Sequence, residues 1–461
     1  MPILFTLGEV LQAFEEAATY VGEASRLATR PAALSTDSRT CGVNELFFAL
    51  QGDKFDGHDF LPEVFQRQAL AAVVAKTWHR RHPRRKGNFI VVDDPLLALQ
   101  RLGRNIRRRW GRPVIALTGS NGKTTTKELL AALLSRRHLV HKTSGNLNNH
   151  IGVPLTLSQL THAHELAVIE MGANHFHEIA RLCELAAPNY GLITNIGRAH
   201  VEFFGDLAGV ARAKTELFAY LQKRDGIAFL NADEARLVTV HPSGLKTVTF
   251  GLHQPAQVHG TIKAVDREGH VTLTWRGLDI RLPVPGVHNA SNALAAIAVA
   301  DFFGLDSATI KAGIESFTGV ARRMQILQIA GMIVINDAYN ANPESMKAAL
   351  EFLAQYPRPE HGRRVAILGD MLEMGASAEA VHRELGEFIA TLPIQAVFAY
   401  GPQMRHLVHA IGQHCWALHF EDKNDLMYEV SRSVRAGDIL LLKGSRGMAM
   451  EQVLEKLPAP A

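Results

Sequence analysis

The eight residues from Thr118 to Thr125, which read TGSNGKTT, constrain the fold of this chain more than any other stretch. The apolar run Pro113–Thr118 predicts a buried β-strand before them, and Thr124–Leu134 predicts a helix after them. Small residues at such a junction let backbone N–H groups surround a phosphate, and the helix N-terminus adds partial positive charge. The stretch therefore predicts a phosphate-binding loop in a parallel α/β sheet.

Two side chains of this loop have distinct expected roles. Lys123 would place its charge beside the β- and γ-phosphates of a nucleotide, and the Thr124 hydroxyl can bind Mg²⁺. The glycine spacing is shorter than in the common phosphate loop, which would have glycine in place of Leu117. A chance glycine-rich turn is the alternative, but it leaves the Lys-Thr pair at the helix start unexplained. The other loop residues expected to bind ATP are Gly119, Ser120, Asn121, Gly122 and Thr125.

Length and alternating patterns predict three α/β domains. A chain of 461 residues exceeds the size of a single hydrophobic core. Residues 1–93 mix short strands and helices, residues 94–318 alternate strands and helices after an arginine-rich helix, and residues 319–461 begin a second, Rossmann-like alternation. Short antiparallel strands are expected over Val258–Val284. The other predicted elements are strands Leu166–Glu170, Tyr190–Asn195, Met332–Asn336, Arg364–Leu368, Ala396–Tyr400 and Asp438–Lys443, helices His175–Leu185 and Pro343–Ala354, and a last helix after Lys443.

The cysteines and the N-terminal residues indicate the cellular compartment of the protein. Cys41, Cys183 and Cys415 are odd in number and far apart, which argues against a disulfide framework and a zinc site and fits a reducing compartment. The N-terminus lacks the basic segment of a signal peptide, and no apolar run is long enough to span a membrane. We therefore expect a cytoplasmic protein without a membrane span.

The net charge of +4 conceals a basic region between Lys76 and Arg112, where twelve lysines and arginines accompany only Asp93 and Asp94. One interpretation is a nucleic-acid-binding surface. The interpretation that we favour is a solvated linker and helix face with some attraction for an anionic nucleotide. The basic residues do not alternate with the aromatic residues that stack on single strands, so we expect no nucleic-acid partner.

Two residues near the ends of predicted strands are candidates for a metal site. Ligands of open α/β sheets lie beyond the carboxyl ends of the strands. Glu170 ends one predicted strand and His200 follows the next, so both would face the nucleotide. A carboxylate can bind Mg²⁺ and an imidazole can bind metal or phosphate, although each residue could equally be a cap or a surface group. Lys214, by its neighbours alone, is typical of a helix surface.

Motifs over essentially the whole chain resemble those of the Mur ligase family. The residues that carry the resemblance are 118–125, 145–149 with 151–154, 170–173, 195–200, 214–216, 288–292, 323, 337–343, 368–375 and 443–446, with 36–39 and 57–60 in the first block. The family implies a UDP-binding domain, a central ATP-binding domain and a C-terminal ligase domain. It implies an ATP-dependent peptide ligase of peptidoglycan precursor synthesis, working through an acyl phosphate. Residues 337–343 and 368–375 resemble the branch whose substrates are UDP-N-acetylmuramoyl-tripeptide and D-alanyl-D-alanine.

The resemblance also implies roles for individual residues. The implied catalytic set is Lys123, Glu170, His200, Lys214 and Arg323. Two Mg²⁺ ions would be bound through Thr124, Glu170, His200 and Lys214, the last after carbamylation, which converts a lysine into an oxygen ligand. The remaining implied contacts are of ATP with Asn289, Asn292, Arg323 and Asp337, of the UDP part with Ser38 and Arg39, and of the other substrate parts with Asn146, Asn149, Asn340 and Asn342.

Two positions depart from the family pattern. Position 322 is Arg where the family usually has Gly, so Arg322 competes with Arg323 as the phosphate ligand, and we expect Arg323. Position 336 is Asn where a second acidic residue is common, with little expected consequence because Asp337 remains. We also expect a monomer in which Arg323, Asp337 and Lys443 complete the site only when the third domain closes on the second.

Other functions are compatible with parts of the sequence. A folylpolyglutamate synthase is the nearest alternative, but it lacks the UDP-binding domain that residues 36–39 indicate. A P-loop kinase or nucleotide switch would need no third α/β domain, and a nucleic-acid-binding ATPase would need a functional role for Arg101–Arg112. The sequence leaves open whether the third residue of the tripeptide is meso-diaminopimelate or lysine.

Overall fold

The computed structural model describes residues 5–14, 18–198 and 201–457. Within these ranges the backbone forms three β-sheets, one in each of the three blocks of the sequence. The α/β fold class and the three-domain organisation predicted above are therefore confirmed.

The first sheet is mostly parallel. Its elements are α1 (Leu7–Ala13), β1 (Thr19–Val21), β2 (Leu34–Ser35), β3 (Leu46–Phe48), α2 (Leu61–Gln66), β4 (Ala71–Ala75), α3 (Lys76–Arg81) and β5 (Phe89–Val92), with 3₁₀ turns at Ala24–Ala28 and Gly57–Phe60. The strand order is β1-β5-β4-β3-β2, and β1 runs antiparallel to β5 while the other neighbours are parallel.

The central sheet carries the phosphate loop between β6 and α5. Its elements are α4 (Pro95–Trp110), β6 (Val114–Thr118), α5 (Lys123–Leu134), β7 (Val140–Lys142), α6 (Gly152–Ser158), β8 (Leu166–Glu170), α7 (Glu178–Ala186), β9 (Tyr190–Ile193), α8 (Val201–Phe204), α9 (Leu207–Gln222), β10 (Ile227–Asn231), α10 (Ala235–Val240), β11 (Lys246–Gly251), β12 (Val258–Val265), β13 (Val271–Trp275), β14 (Leu278–Arg281), α11 (His288–Phe302) and α12 (Ser307–Glu315). The order is β14-β13-β12-β11-β10-β9-β6-β8-β7, parallel from β7 to β12 and antiparallel beyond. The predicted antiparallel strands over Val258–Val284 are thus confirmed.

The third sheet follows the expected Rossmann-like alternation. Its elements are β15 (Gln325–Ile329), β16 (Met332–Asp337), α13 (Pro343–Gln355), β17 (Arg364–Gly369), α14 (Ala378–Ala390), β18 (Ala396–Tyr400), α15 (Met404–Ile411), β19 (Trp416–Phe420), α16 (Lys423–Ser433) and β20 (Ile439–Lys443), with 3₁₀ turns at Gly375–Ser377, Arg446–Met448 and Met450–Lys456. The order is β15-β16-β20-β17-β18-β19, and β15 is antiparallel to β16.

Two helix predictions need correction. The last helix is wrong, because residues after β20 form 3₁₀ turns interrupted at Ala449, whose φ is 44°. The helix predicted from His175 begins at Glu178, because His177 adopts a left-handed backbone with φ 68°. The Glu178 carboxylate instead accepts the backbone N–H groups of Asn174 and His175 at 2.7 and 3.0 Å.

Helix α4 joins the first and central domains. Its apolar residues belong to one hydrophobic core that continues from the first sheet to one face of the central sheet. Arg107 is buried and donates to the carbonyl oxygens of Ala186 and Ala187 at 2.7 and 2.9 Å, and Arg101 donates to the carbonyl of Phe14 at 2.7 Å. The interpretation of this half of the basic region as a solvated face is therefore wrong for Arg101 and Arg107, which connect packed elements, and holds for the exposed Arg108, Arg109 and Arg112.

The described ranges contain no helix with the length and apolar character that crossing a bilayer requires. Cys41 and Cys183 are buried and Cys415 is partly buried, and all of them are free thiols.

Candidate functional site

The phosphate loop requires glycine at two positions. A Cβ on Gly119, whose φ is 145°, would lie 1.9 Å from Thr194 Oγ1. A Cβ on Gly122, whose φ is 77°, would lie 2.2 Å from Asn292 Oδ1. Both backbones are left-handed and both approach a neighbouring element closely, so any side chain here would be strained and would displace that neighbour.

Residues that follow β9 hold the loop in place. The Asn121 backbone N–H donates to Asn195 Oδ1 at 2.9 Å, and Ser120 Oγ donates to the carbonyl of Gly197 at 3.0 Å. Lys123 Nζ donates to the carbonyl oxygens of Gly119 and Ser120 at 2.7 and 3.2 Å. Burial lowers the pKa of Lys123 to about 8, against the opposing influence of the Glu170 carboxylate. Hydrogen bonds to the rest of the protein therefore fix the conformation of the loop.

A cavity of about 790 Å³ lies between the central and third domains and brings most of the predicted site residues together. From the central domain, the predicted residues that line it are Ser120, Asn121, Gly122, Lys123, Thr125, Asn146, Asn149, Glu170, Lys214, Asn289 and Asn292. From the third domain, the predicted residues that line it are Arg323, Asp337, Asn340 and Asn342. Gly119 and Thr124 lie in the loop behind this lining.

The Glu170 carboxylate is a suitable partner for a cation. Its side chain is 2% exposed, and Oε1 accepts the Asn148 amide at 2.9 Å. Oε2 has no hydrogen-bond donor among the described residues, although Lys127 Nζ lies 3.5 Å from it. Mg²⁺ binds such oxygens together with hydroxyls, phosphates and water. Thr124 supplies a hydroxyl, so the residues present fit a magnesium site that a nucleotide completes.

This arrangement differs from an all-protein metal cage. No group of three His, Cys, Asp or Glu side chains with metal-binding geometry occurs in the described ranges. The predicted ligand His200 lies outside the described residues.

Lys214 is buried, contrary to the surface position that its neighbours in sequence suggested. Nζ lies 3.4 Å from the Ala173 carbonyl and 5.7 Å from the centre of the Phe204 ring. Burial and then the charge of Lys123 lower its pKa to about 7, while Glu178 and Glu216 act in the opposite direction. Burial therefore favours the uncharged, nucleophilic form of the Lys214 amine.

Asn289 and Asn292 lie one turn apart on α11, and both are buried. Asn292 Nδ2 donates to Asn289 Oδ1 at 3.0 Å, and Asn289 Nδ2 donates to the Pro285 carbonyl at 2.7 Å. Thr126, in the helix that follows the phosphate loop, donates its hydroxyl to Asn292 Oδ1 at 3.3 Å. The two asparagines are therefore fixed against the base of the loop.

Arg323, rather than Arg322, reaches the phosphate loop. Arg323 Nη2 donates to Thr124 Oγ1 at 2.7 Å, and its guanidinium lies 4.0 Å from the centre of the Tyr339 ring. Arg322 points elsewhere and donates to Glu451 at 2.5 Å. Its φ of 61° explains why glycine suits this position.

Other third-domain residues are fixed among themselves. Asp337 pairs with Lys443 and accepts the Met324 backbone N–H at 3.0 Å. Lys443 Nζ also donates to the Asn340 carbonyl at 3.1 Å. Asn342 caps α13 and donates its amide to Asn121 Oδ1 at 2.7 Å. Arg323 and Asn342 thus contact the loop in the described conformation, and completion of the site only on closure stays a prediction.

Ser38 and Arg39 lie apart from this cavity, in the turn after β2. Arg39 is exposed and donates Nε and Nη2 to the two oxygens of Asp37 at 2.9 and 2.7 Å. Asn149 lines the cavity, but its Oδ1 accepts the backbone N–H groups of Ile151 and Gly152 at 3.1 and 2.9 Å.

Sequence reasoning missed several residues of the site. Asn148 orients Glu170, Asn195 fixes the loop, Lys127 approaches Glu170 and Tyr339 stacks on Arg323. The position of Asn195 directly beyond a strand was a usable signal. The contacts of Lys127 and Tyr339 depend on packing between distant segments and carry no local signal.

A phosphate loop that shares a cavity with a second α/β domain defines a class of nucleotide-dependent, multidomain enzymes. The chain belongs to the Mur ligase family. Residues 32–105 match the model of the Mur ligase family catalytic domain, residues 117–300 the Mur ligase middle domain, and residues 322–446 the Mur ligase glutamate ligase domain.

Individual relatives are similar over nearly the whole chain. UDP-N-acetylmuramoyl-tripeptide--D-alanyl-D-alanine ligases from Bacillus subtilis and Escherichia coli are each 37% identical, covering 92% of this chain and 92% and 93% of theirs. A crystal structure of MurF from Acinetobacter baumannii superposes with a TM-score of 0.84 at 31% identity, covering 99% of both chains. MurF from Thermotoga maritima in complex with ADP gives a TM-score of 0.76 at 27% identity, covering 92% of this chain and 96% of that one.

Proposed function

We propose that this chain joins D-alanyl-D-alanine to UDP-N-acetylmuramoyl-tripeptide at the cost of ATP, giving UDP-N-acetylmuramoyl-pentapeptide, ADP and phosphate. Relatives of that name align with nearly the whole chain, at 37% identity for two of them. The observation that carries the proposal is the cavity shared by the phosphate loop and the third domain. It offers one shared space for a nucleotide and for two reacting substrates.

In the first step a terminal carboxylate oxygen of the tripeptide attacks the γ-phosphorus of ATP, and the bond from that phosphorus to ADP breaks. The product is an acyl phosphate, which has a good leaving group where the carboxylate had none. Such a transfer is accelerated mainly by positioning and by stabilising charge on the phosphoryl oxygens. Lys123 and Arg323 are the cations that line the cavity at the loop, and we assign this role to them.

Thr124 and Glu170 would hold Mg²⁺, with His200 as a further proposed ligand. When bound, the cation neutralises phosphate charge. We propose that Lys214 reacts with CO₂, forming an N–C bond and losing a proton, so that a carbamate provides oxygen ligands for a second ion. The lowered pKa of Lys214, about 7, supports this because carbamylation requires the neutral amine.

In the second step the free amine of D-alanyl-D-alanine attacks the acyl carbon, loses a proton and expels phosphate. Water must be excluded, since it would compete for the acyl phosphate. Asn146, Asn149 and Asn340 are the proposed contacts of the peptide parts. Asn342 is a weaker candidate, because both ends of its amide already bond to protein groups.

The first domain is the proposed site of the UDP part, with Ser38 and Arg39 as contacts. We place the domain boundaries at residues 1–93, 94–318 and 319–461, and each range contains one of the sheets. A cytoplasmic monomer is part of this proposal. The third residue of the tripeptide is meso-diaminopimelate or lysine.

The test is phosphate release from ATP and Mg²⁺ with UDP-N-acetylmuramoyl-tripeptide and D-alanyl-D-alanine, each omitted in turn. Release that requires every component, together with a pentapeptide product by mass spectrometry, is expected. Release that is independent of the dipeptide or of the sugar nucleotide would overturn the assignment. Repeating the assay with each form of the tripeptide measures the preference at its third residue.

A further inference from the structure

Lys127 is a buried cation that the proposed mechanism does not use. It lies one helical turn after Lys123 on α5, and its side chain is 0% exposed. Nζ lies 3.5 Å from Glu170 Oε2, 3.2 Å from Glu128 Oε1 and 3.5 Å from the carbonyl oxygen of Gly145. Lys127 is not among the described residues that line the cavity, so it contacts Glu170 from the protein side.

Burying this ammonium needs an explanation other than stability. Desolvating two charges costs about as much as their attraction returns, and apolar residues of similar volume often replace such pairs without loss. Methionine at position 127 alone has a similar length, but it would leave the Glu170 carboxylate buried without a neighbouring cation, which is destabilising. Because Glu170 is the proposed cation ligand, the pair cannot be replaced as a whole, and the charge of Lys127 acts on that carboxylate.

The environment of Glu170 shows what that role is. Asn148 donates to Oε1 at 2.9 Å and fixes one oxygen of the carboxylate. Lys127 attracts Oε2 from 3.5 Å, which is too far for a strong hydrogen bond and leaves that oxygen able to bind a cation. A closer lysine would compete with the cation for Oε2, and an absent one would leave the carboxylate free to turn about its Asn148 contact.

Glu128 sets the position of Lys127. Its carboxylate contacts Lys127 through Oε1 at 3.2 Å and Lys142 through Oε2. The side chains Lys142, Glu128, Lys127 and Glu170 thus alternate in charge from the edge strand β7 to the cavity. Glu128 draws the ammonium of Lys127 away from Glu170 and shares its charge.

We propose that Lys127 is a positioning residue that orients Glu170 for the cation, and that Glu128 limits how strongly Lys127 competes with that cation. The proposal rests on the proposed function only in assigning a cation to Glu170. It predicts that substitutions of Lys127 and of Glu128 change the affinity for the cation in opposite directions.

The experiment measures Mn²⁺ binding to the full-length protein in the presence of ADP, by electron paramagnetic resonance of free Mn²⁺. In Lys127→Met a repelling charge is lost, so the dissociation constant for Mn²⁺ falls by about three- to tenfold. In Glu128→Gln the ammonium moves towards Glu170, so the dissociation constant rises by about three- to tenfold. Both variants lower kcat of the ligase reaction: in Lys127→Met the cation is bound more tightly but by a carboxylate that is free to turn, and in Glu128→Gln the carboxylate is occupied by Lys127.

Glu184→Gln, on the exposed face of α7, makes the same change of net charge as Glu128→Gln and should alter neither Mn²⁺ binding nor kcat. Changes of the Mn²⁺ dissociation constant in the same direction for Lys127→Met and Glu128→Gln, or no change in either, would overturn the proposal. Mere damage to the fold would weaken Mn²⁺ and ADP binding in both variants, so the ADP dissociation constant is measured alongside. Because Mn²⁺ and ADP binding need no peptide substrate, this result is separate from the test of the ligase reaction.

Discussion

The junction between the first and central domains differs in kind from the junction between the central and third domains. The first is apolar: residues such as Leu99, Leu102 and Ile106 of α4 are fully buried in a core that both domains share. Close packing also fixes α4 against the central domain, since a Cβ on Gly103 would lie 2.9 Å from Pro154 of α6. Such a surface has one well-packed arrangement.

The second junction is built around polar contacts. Arg323 bonds to Thr124, Asn342 bonds to Asn121, and the Arg198 backbone N–H donates to Glu344 at 3.2 Å. Apolar packing here is local, with Val284 and Phe317 against the core of the third domain. Hydrogen bonds around a charged cavity can be exchanged for bonds to a ligand, so this junction can combine recognition of substrates with adjustment of the domains.

The largest expected effect comes from removing the cation that crosses the second junction. Arg323→Met should lower kcat/KM by about 10²- to 10³-fold, because a charge beside the transferred phosphoryl group is lost. Steady-state kinetics and chemical denaturation check this. Arg322→Met is the matched control: it loses its contact with Glu451 within the third domain and should retain most activity. Equal losses in both variants would contradict the assignment of Arg323.

The next effect tests the apolar junction. Leu102→Ala should lower the free energy of unfolding by about 3 kcal/mol, because a cavity replaces a fully buried side chain. Activity per folded molecule should be unchanged. Leu426→Ala, in the core of the third domain, is the control that destabilises the other side of the molecule. If Leu102→Ala raises KM without lowering the free energy of unfolding, the junction between the first and central domains is not rigidly packed.

The next effect is a pH dependence of stability at the cavity beside the polar junction. The pKa of Lys214 in the folded chain, about 7, is below its ordinary value of 10.5, so between these pH values the unfolded chain binds a proton that the folded chain does not. The contribution of Lys214 to stability therefore rises with pH across this window, by at most about 1.4 kcal/mol per pH unit. The measurement is the free energy of unfolding of the wild type minus that of Lys214→Met from pH 7 to 9 in CO₂-free buffer. A difference that stays constant would contradict burial of Lys214.

The smallest effect concerns the amide that joins α13 to the phosphate loop. Asn342→Ala should destabilise the protein by about 1 kcal/mol through loss of a helix cap, and should also raise KM for ATP by loosening Asn121. Asp422→Ala removes the cap of α16, which lies in the same domain without contacting the loop, and should change stability alone. If both variants leave KM unchanged, the Asn342 contact has no part in nucleotide binding.

The sheets and the loop were predictable because their signals are local. Apolar runs of strand length, followed by helical periodicity or by small residues, place β6, β8 and β16 within a residue or two of their observed bounds. The burial of Lys214 was not predictable from its neighbours in sequence, because the contact of its amine with Ala173 depends on a distant segment. The last helix failed for a similar reason: Met448 and Met450 pack against Gly369, and this long-range contact is incompatible with a continuous helix.

The continuous core under α4 also has a consequence for how the molecule loses its structure. Segments that share one hydrophobic core melt together, whereas segments joined mainly by surface hydrogen bonds can open separately. The first and central domains should therefore form a single cooperative unit, and the third domain a second one. The chain has three domains but should show two calorimetric unfolding transitions. A nucleotide bound across the polar junction should reduce the difference between the two transition temperatures.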